Sequence, residues 1–179
     1  MIRQTRSFVF LVPFAFLLAV QAHAQAIYAE NQIPGRGVAI EYTVKIENPI
    51  SHLYDVEMSI RGIREPSISV SMPAWAPGAY AIRDSAKNVQ NFQASTQRGQ
   101  ALRWQQADKQ TWRVTKQPND DVNVRYQVFS TQLTDQMADI SGPATFMYAV
   151  GQKHVACSVK YEAPRGRNVY TGLEKRGDR

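Results

Sequence analysis

Apolar and polar residues alternate with a period of two along most of this chain. Ile40, Tyr42, Val44 and Ile46 are separated by Glu41, Thr43 and Lys45, and Asn48-Pro49 breaks the run. Tyr54, Val56, Met58 and Ile60 repeat the pattern up to Gly62, and Ile68, Val70 and Met72 repeat it up to Pro73. Trp112 and Val114 follow an Asp108-Lys109 turn, and Val122, Val124, Tyr126 and Val128 alternate with Asn123, Arg125 and Gln127. Phe146, Tyr148 and Val150 close at Gly151; Val155, Cys157, Val159 and Tyr161 close before Ala163-Pro164. Successive side chains of a strand face opposite ways, so each run predicts a half-buried strand. Shorter strands are expected near Phe92 and Leu102. Turn signals recur roughly every 8–15 residues, and no window sustains a helical period. The pattern predicts an all-β fold, an antiparallel β-sandwich of about 7–9 strands. A single helical turn is expected around Asp84–Asn88. Ser130 to Ala144, with Leu133, Met137 and Ile140 loosely spaced before Gly142-Pro143, reads as a surface loop covering one end of the sandwich.

The first residues follow another rule. Arg3 and Arg6 precede an apolar run from Phe8 to Val20, and Ala22-His23-Ala24 offers a small-x-small cleavage site, with Ala24-Gln25-Ala26 as a second choice. This is the layout of a secretory signal peptide over 1–24, and the apolar run is shorter than the roughly 20 residues that span a bilayer. A periplasmic or secreted protein with no stable membrane anchor after cleavage is expected. Removing residues 1–24 from 179 leaves 155, enough for one domain. That domain is expected over 27–173, with a basic tail at 174–179. Cys157 is the only cysteine, so no internal disulfide can form; its place between Val155 and Val159 predicts an inert thiol in a buried strand. The net charge of +6 drops to +4 when Arg3 and Arg6 leave. The remaining basic residues are dispersed, which argues against a nucleic-acid partner.

The stretch Met72–Phe92, MPAWAPGAYAIRDSAKNVQNF, carries a denser message. Met72-Pro73, Trp75, Pro77-Gly78-Ala79-Tyr80, Ile82-Arg83, Ala86, Asn88-Val89, Phe92 and Ala94 are followed by Leu102-x-Trp104 and Asp108-Lys109-x-x-Trp112. Together these resemble the N-terminal domain of the glycyl aminopeptidase family, zinc metallopeptidases that usually also carry a PDZ domain. The resemblance runs to about Thr171-Gly172-Leu173. It implies an all-β first domain and a long connection before the strand read here as ATFMYAV. It also implies a zinc-bearing catalytic domain downstream of the residues present. On that reading the chain is a truncated or split form whose partner is a catalytic metallopeptidase domain or chain.

The chemistry of such a peptidase needs two histidines four residues apart on a helix, with the adjacent Glu as general base. Of three histidines, His23 leaves with the signal, His52 is followed at the fourth position by Val56, and His154 by Ser158. No H-E-x-x-H occurs, and the isolated histidines offer no zinc site in a single copy. No G-x-S-x-G elbow occurs either. The chain is therefore expected to be non-catalytic and to need no cofactor, zinc belonging to the catalytic domain.

Pro77-Gly78 fits a type II turn, with Pro fixing φ and Gly supplying φ > 0. Trp75 and Tyr80 would flank it, and Arg83-Asp84 follows. Trp75, Pro77, Gly78, Tyr80, Arg83 and Asp84 are the candidate interdomain or cleft-facing residues. Trp104, Trp112, Tyr126 and Phe146 are candidate core aromatics, with Trp104 and Trp112 expected close together on adjacent strands. An alternative reading takes Trp75, Tyr80, Trp104 and Trp112 as the stacking platform of a periplasmic carbohydrate- or peptide-binding module. That reading requires coplanar exposed rings.

Overall fold

The structure is a computed structural model and describes residues 37–175 apart from 77, 79 and 80. The expected signal peptide lies outside the described residues, as do Pro77, Tyr80 and the last four residues of the basic tail.

Nine strands form two sheets. They are β1 (Ala39–Lys45), β2 (Leu53–Arg61), β3 (Ser67–Ser71), β4 (Val89–Thr96), β5 (Trp104–Asp108), β6 (Thr111–Thr115), β7 (Val122–Phe129), β8 (Tyr148–Ala149) and β9 (Cys157–Glu162). The first sheet has the order β4-β7-β2-β1-β9 and the second β5-β6-β3-β8. The described residues also form two 3-10 turns, Pro49–Ser51 and Ser85–Asn88, and one short helix, α1 (Gly142–Thr145). The sandwich expected from the alternation is present, and so is the helical turn expected near Asp84–Asn88.

The period-two runs become the core. In β1, β2 and β7 every inward position is buried, from Ile40, Tyr42 and Val44 through Tyr54, Val56, Met58 and Ile60 to Val122, Val124, Tyr126 and Val128. Ile68, Val70, Trp112 and Val114 face them from the second sheet. The outer face of the first sheet is polar. Glu57 and Arg125 lie opposite each other in the β2–β7 register and pair at 3.2 Å. Such exposed pairs are worth about 0–1 kcal/mol.

Several expectations need correction. The sandwich is not wholly antiparallel: β9 runs parallel to β1, with Ile40 opposite Cys157. Cys157 is exposed, not a core thiol. β9 is the outermost strand of its sheet and neither of its faces is deeply covered. The strand expected from Phe146 to Val150 shrinks to two residues, because Gly142–Thr145 turns helical just before it. Trp104 is also misassigned as core: it is 44% exposed on β5, an edge strand with no buried position.

The Ser130–Ala144 connection does cover one end, and three inward tyrosines hold it there. Tyr54 donates its hydroxyl to Asp139 O at 3.0 Å, Tyr126 to Thr145 O at 3.0 Å, and Tyr42 to Met147 O at 2.7 Å. The Tyr126 hydroxyl also accepts from Met147 N at 2.9 Å. Leu133 drops from this segment into the core with no exposed surface. At the opposite end Gly62 is forced: its φ is +81°, and a Cβ there would come within 2.0 Å of Gly37 O.

Candidate functional site

One end of the sandwich gathers the residues of interest. β1 ends and β2 begins there, with Lys45 opposite Asp55. β7 ends there, with Phe129 opposite Leu53, and β4 begins there, with Val89 opposite Val128. The β5–β6 hairpin points the same way, since Leu102, just before β5, donates to Ala94 O near the far end of β4. Ser71 pairs with Thr111 at the tip of that hairpin, so the segment leaving β3 emerges at the same end.

That segment is a closed loop. Met72 N donates to Gln110 O at 2.9 Å, and Arg83 N donates to Ala74 O at 2.7 Å, which pins the two ends together. Gly78 has φ +81°, the value a type II turn requires of its third residue. Trp75 is 57% exposed and Ile82 82%. Arg83 and Asp84 are exposed, and neither takes part in an ion pair among the described residues. The chain then buries Ser85 and Ala86 in the 3-10 turn and packs it against α1.

The remaining motif residues converge beside it. The Phe92 ring stacks on Trp112, 5.4 Å between centroids and 11° between planes, and meets Trp104 edge-on at 4.8 Å. Trp104 and Trp112 lie on adjacent strands as expected, but Trp104 pairs with Val114 and Trp112 with Gln106. The tryptophans are joined through Phe92. Phe92 points inward because β4 carries a bulge between Gln90 and Gln93, with Asn91 at φ +51° and its Nδ2 donating to Gln127 Oε1 at 2.6 Å. Asp108 caps the hairpin by accepting from Gln110 N at 2.8 Å, which lowers its carboxyl below the ordinary range. Trp112 and Tyr126 are buried, and Phe146 packs against the core, 5.1 Å edge-on to Tyr42. Of the four rings named for a stacking platform, Trp112 is buried, Trp75 and Trp104 face solvent, and Tyr80 lies outside the described residues.

Other large apolar side chains reach solvent at this same end: Ile50, Phe129, Met137, Val169 and Tyr170. Ile50 sits in the turn between β1 and β2. Met137, Val169 and Tyr170 line a groove with Val44 and Ile46. Sequence reasoning passed over Ile50, Ile82 and Phe129 as site residues. Ile82 gave a signal, an isolated large apolar residue between Ala81 and Arg83.

The histidines do not assemble a metal centre. His52 Nδ1 lies 2.5 Å from Leu133 O, which ties its ring to the connection above. Among the described residues no three His, Cys, Asp or Glu side chains come together. The side chains of the described residues do not fit a zinc ion.

A family model described as the peptidase M61 N-terminal domain matches residues 41–179. The chain belongs to this family. Among solved structures, this M61 N-terminal domain is similar to an aminopeptidase N family protein from Idiomarina loihiensis. The identity is 25% and the TM-score 0.62, over 70% of this chain and 22% of that one. It also aligns with a mutant M1 zinc metallopeptidase from Deinococcus radiodurans, at 17% identity and TM-score 0.29 over 52% of this chain and 21% of that one. This chain spans about a fifth of the length of those proteins. No curated protein matches it.

Proposed function

We propose that this M61 N-terminal domain is an exported, non-catalytic sandwich. It packs by its motif-bearing end onto a zinc metallopeptidase domain, on the same or a separate polypeptide, and shapes the mouth of that domain's substrate cleft. One observation carries the reading: the closed Ala74–Arg83 loop projects Ile82, 82% exposed, at the end where Ile50, Phe129 and Met137 also reach solvent. Large apolar residues gathered on one surface mark an interaction site. The hydrogen bonds that pin the loop's two ends together support it, because a preorganised base loses less entropy on docking.

The test mixes the purified chain with the catalytic portion of an M61 peptidase and follows sedimentation. A complex is expected, and Ile82→Glu weakens it by about tenfold or more, as a central apolar anchor should. Absence of a complex at micromolar concentrations overturns docking. The chain alone is expected to leave glycyl and alanyl peptides uncut with or without zinc; cleavage abolished by a chelator overturns the non-catalytic assignment. Export rests on the leader pattern, and N-terminal sequencing of the mature protein is expected to start at Gln25.

A further inference from the structure

The sandwich is open along one side, where the edge strands β8 and β9 face each other across a groove of about 510 Å³. Its walls include Ile40, Val155 and the exposed ring of Trp75. Among the described residues Lys153 is the only charged one lining it. The Lys153 Nζ lies 4.5 Å from the centroid of the Tyr148 ring and has no carboxylate partner among the described residues. Gln152 lines the same groove, and its Oε1 is buried without a hydrogen-bond partner among the described residues.

These features ask for one kind of occupant. An ammonium held over an aromatic ring is fixed in position and can attract an anion. A buried amide oxygen with no donor needs an N–H. The apolar wall needs a side chain of matching character. A peptide terminus supplies carboxylate, N–H and side chain within one residue of each other. An extended chain also suits a cleft bordered by two unpaired strand edges.

We propose that this groove captures the C-terminal residue of an extended peptide. The terminal carboxylate pairs with Lys153, a backbone N–H donates to Gln152 Oε1 once that side chain turns into the groove, and a large apolar last side chain packs on Trp75. The groove shares Trp75 with the docking loop, but its carboxylate contact is at Lys153 and the docking anchor is Ile82, so the two readings fail separately.

Fluorescence anisotropy of an N-terminally labelled Ala-Ala-Ala-Leu tetrapeptide on the purified chain tests this. The free acid is expected to bind. The C-terminal amide, and the free acid with Lys153→Gln, are each expected to bind about tenfold or more weakly, the value of one charge-assisted hydrogen bond. Lys153 is exposed, so Lys153→Gln keeps the thermal transition of the parent. Ile82→Glu leaves peptide binding unchanged. Equal binding of acid and amide overturns the proposal, as does undiminished binding by Lys153→Gln or no binding at millimolar peptide. An amidated peptide carrying an internal Glu that binds as well as the free acid also overturns it, by assigning Lys153 to acidic side chains.

Discussion

Replacing Tyr126 by Phe isolates the contribution of a single hydroxyl. The ring stays, so the apolar packing of β7 against the second sheet is conserved. The oxygen that is lost donates to Thr145 O at 3.0 Å and accepts from Met147 N at 2.9 Å, both in buried surroundings. Without it a carbonyl and an N–H are left beside α1 with no partner. Each such group costs about 1–3 kcal/mol, and partial relaxation of the segment puts the sum at about 2–4 kcal/mol. Folded domains are stable by only about 5–15 kcal/mol, so this is a large fraction. For a domain of this size roughly 4 °C of Tm accompanies each kcal/mol, which gives a drop of about 8–16 °C. Differential scanning calorimetry reads the Tm. Urea unfolding with an unchanged slope checks that the denatured state is not the cause. Tyr161, half-buried with no hydrogen bond from its hydroxyl among the described residues, is the control, and Tyr161→Phe is expected to be neutral. A Tm for Tyr126→Phe within about 2 °C of the parent would refute the view that tyrosine hydroxyls anchor the connection.

The same tyrosines predict an alkaline limit. Burial raises the hydroxyl pKa of Tyr126 and Tyr42 well above the ordinary 10.0, with the neighbouring Cys157 adding to the shift at Tyr42. Burial, aided by Asp139, pushes Tyr54 up to about 12. Folded values above unfolded ones mean that the stabilisation is complete below pH 10 and is lost as pH climbs through the folded values. Absorbance of tyrosinate should lag in the folded chain and rise with unfolding; ionisation of all tyrosines near pH 10 without unfolding would contradict this. Gly62→Ala should cost more than about 2 kcal/mol, since the added methyl would sit 2.0 Å from Gly37 O at a φ of +81°. A urea midpoint equal to that of the parent would show that the Gly37 segment yields freely.

The inner strands were legible because alternation and burial coincide in them. Ile40 to Val44, Tyr54 to Ile60 and Val122 to Val128 lie under the second sheet, so their apolar positions are the buried ones. At the edges the two part company. Val155, Cys157, Val159 and Tyr161 alternate as faithfully, and Cys157–Glu162 does form a strand, yet Cys157 is exposed. A period of two reports the backbone; it does not report the presence of a facing layer. Trp104 shows the same limit, its aromatic character suggesting a core that its edge strand does not provide. The Leu133 plug and the tyrosine hydroxyl bonds span up to 105 residues of sequence, and no local pattern encodes such separation. The motif residues Ala86, Val89, Phe92, Trp104, Lys109 and Trp112 do share one groove, which spacing alone could not have assembled.

The pairing of β1 with β9 has a bearing on how this molecule comes into being. The first strand is flanked by its immediate successor and by the last, with Ile40 beside Cys157 and Lys45 beside Glu162. A ribosome delivers the amino end first, so one flank of β1 stays bare until Cys157–Glu162 has emerged. Such long-range closure makes acquisition of the native state slow compared with locally wired folds. If the chain is exported as proposed above, delayed closure keeps the strands available for passage.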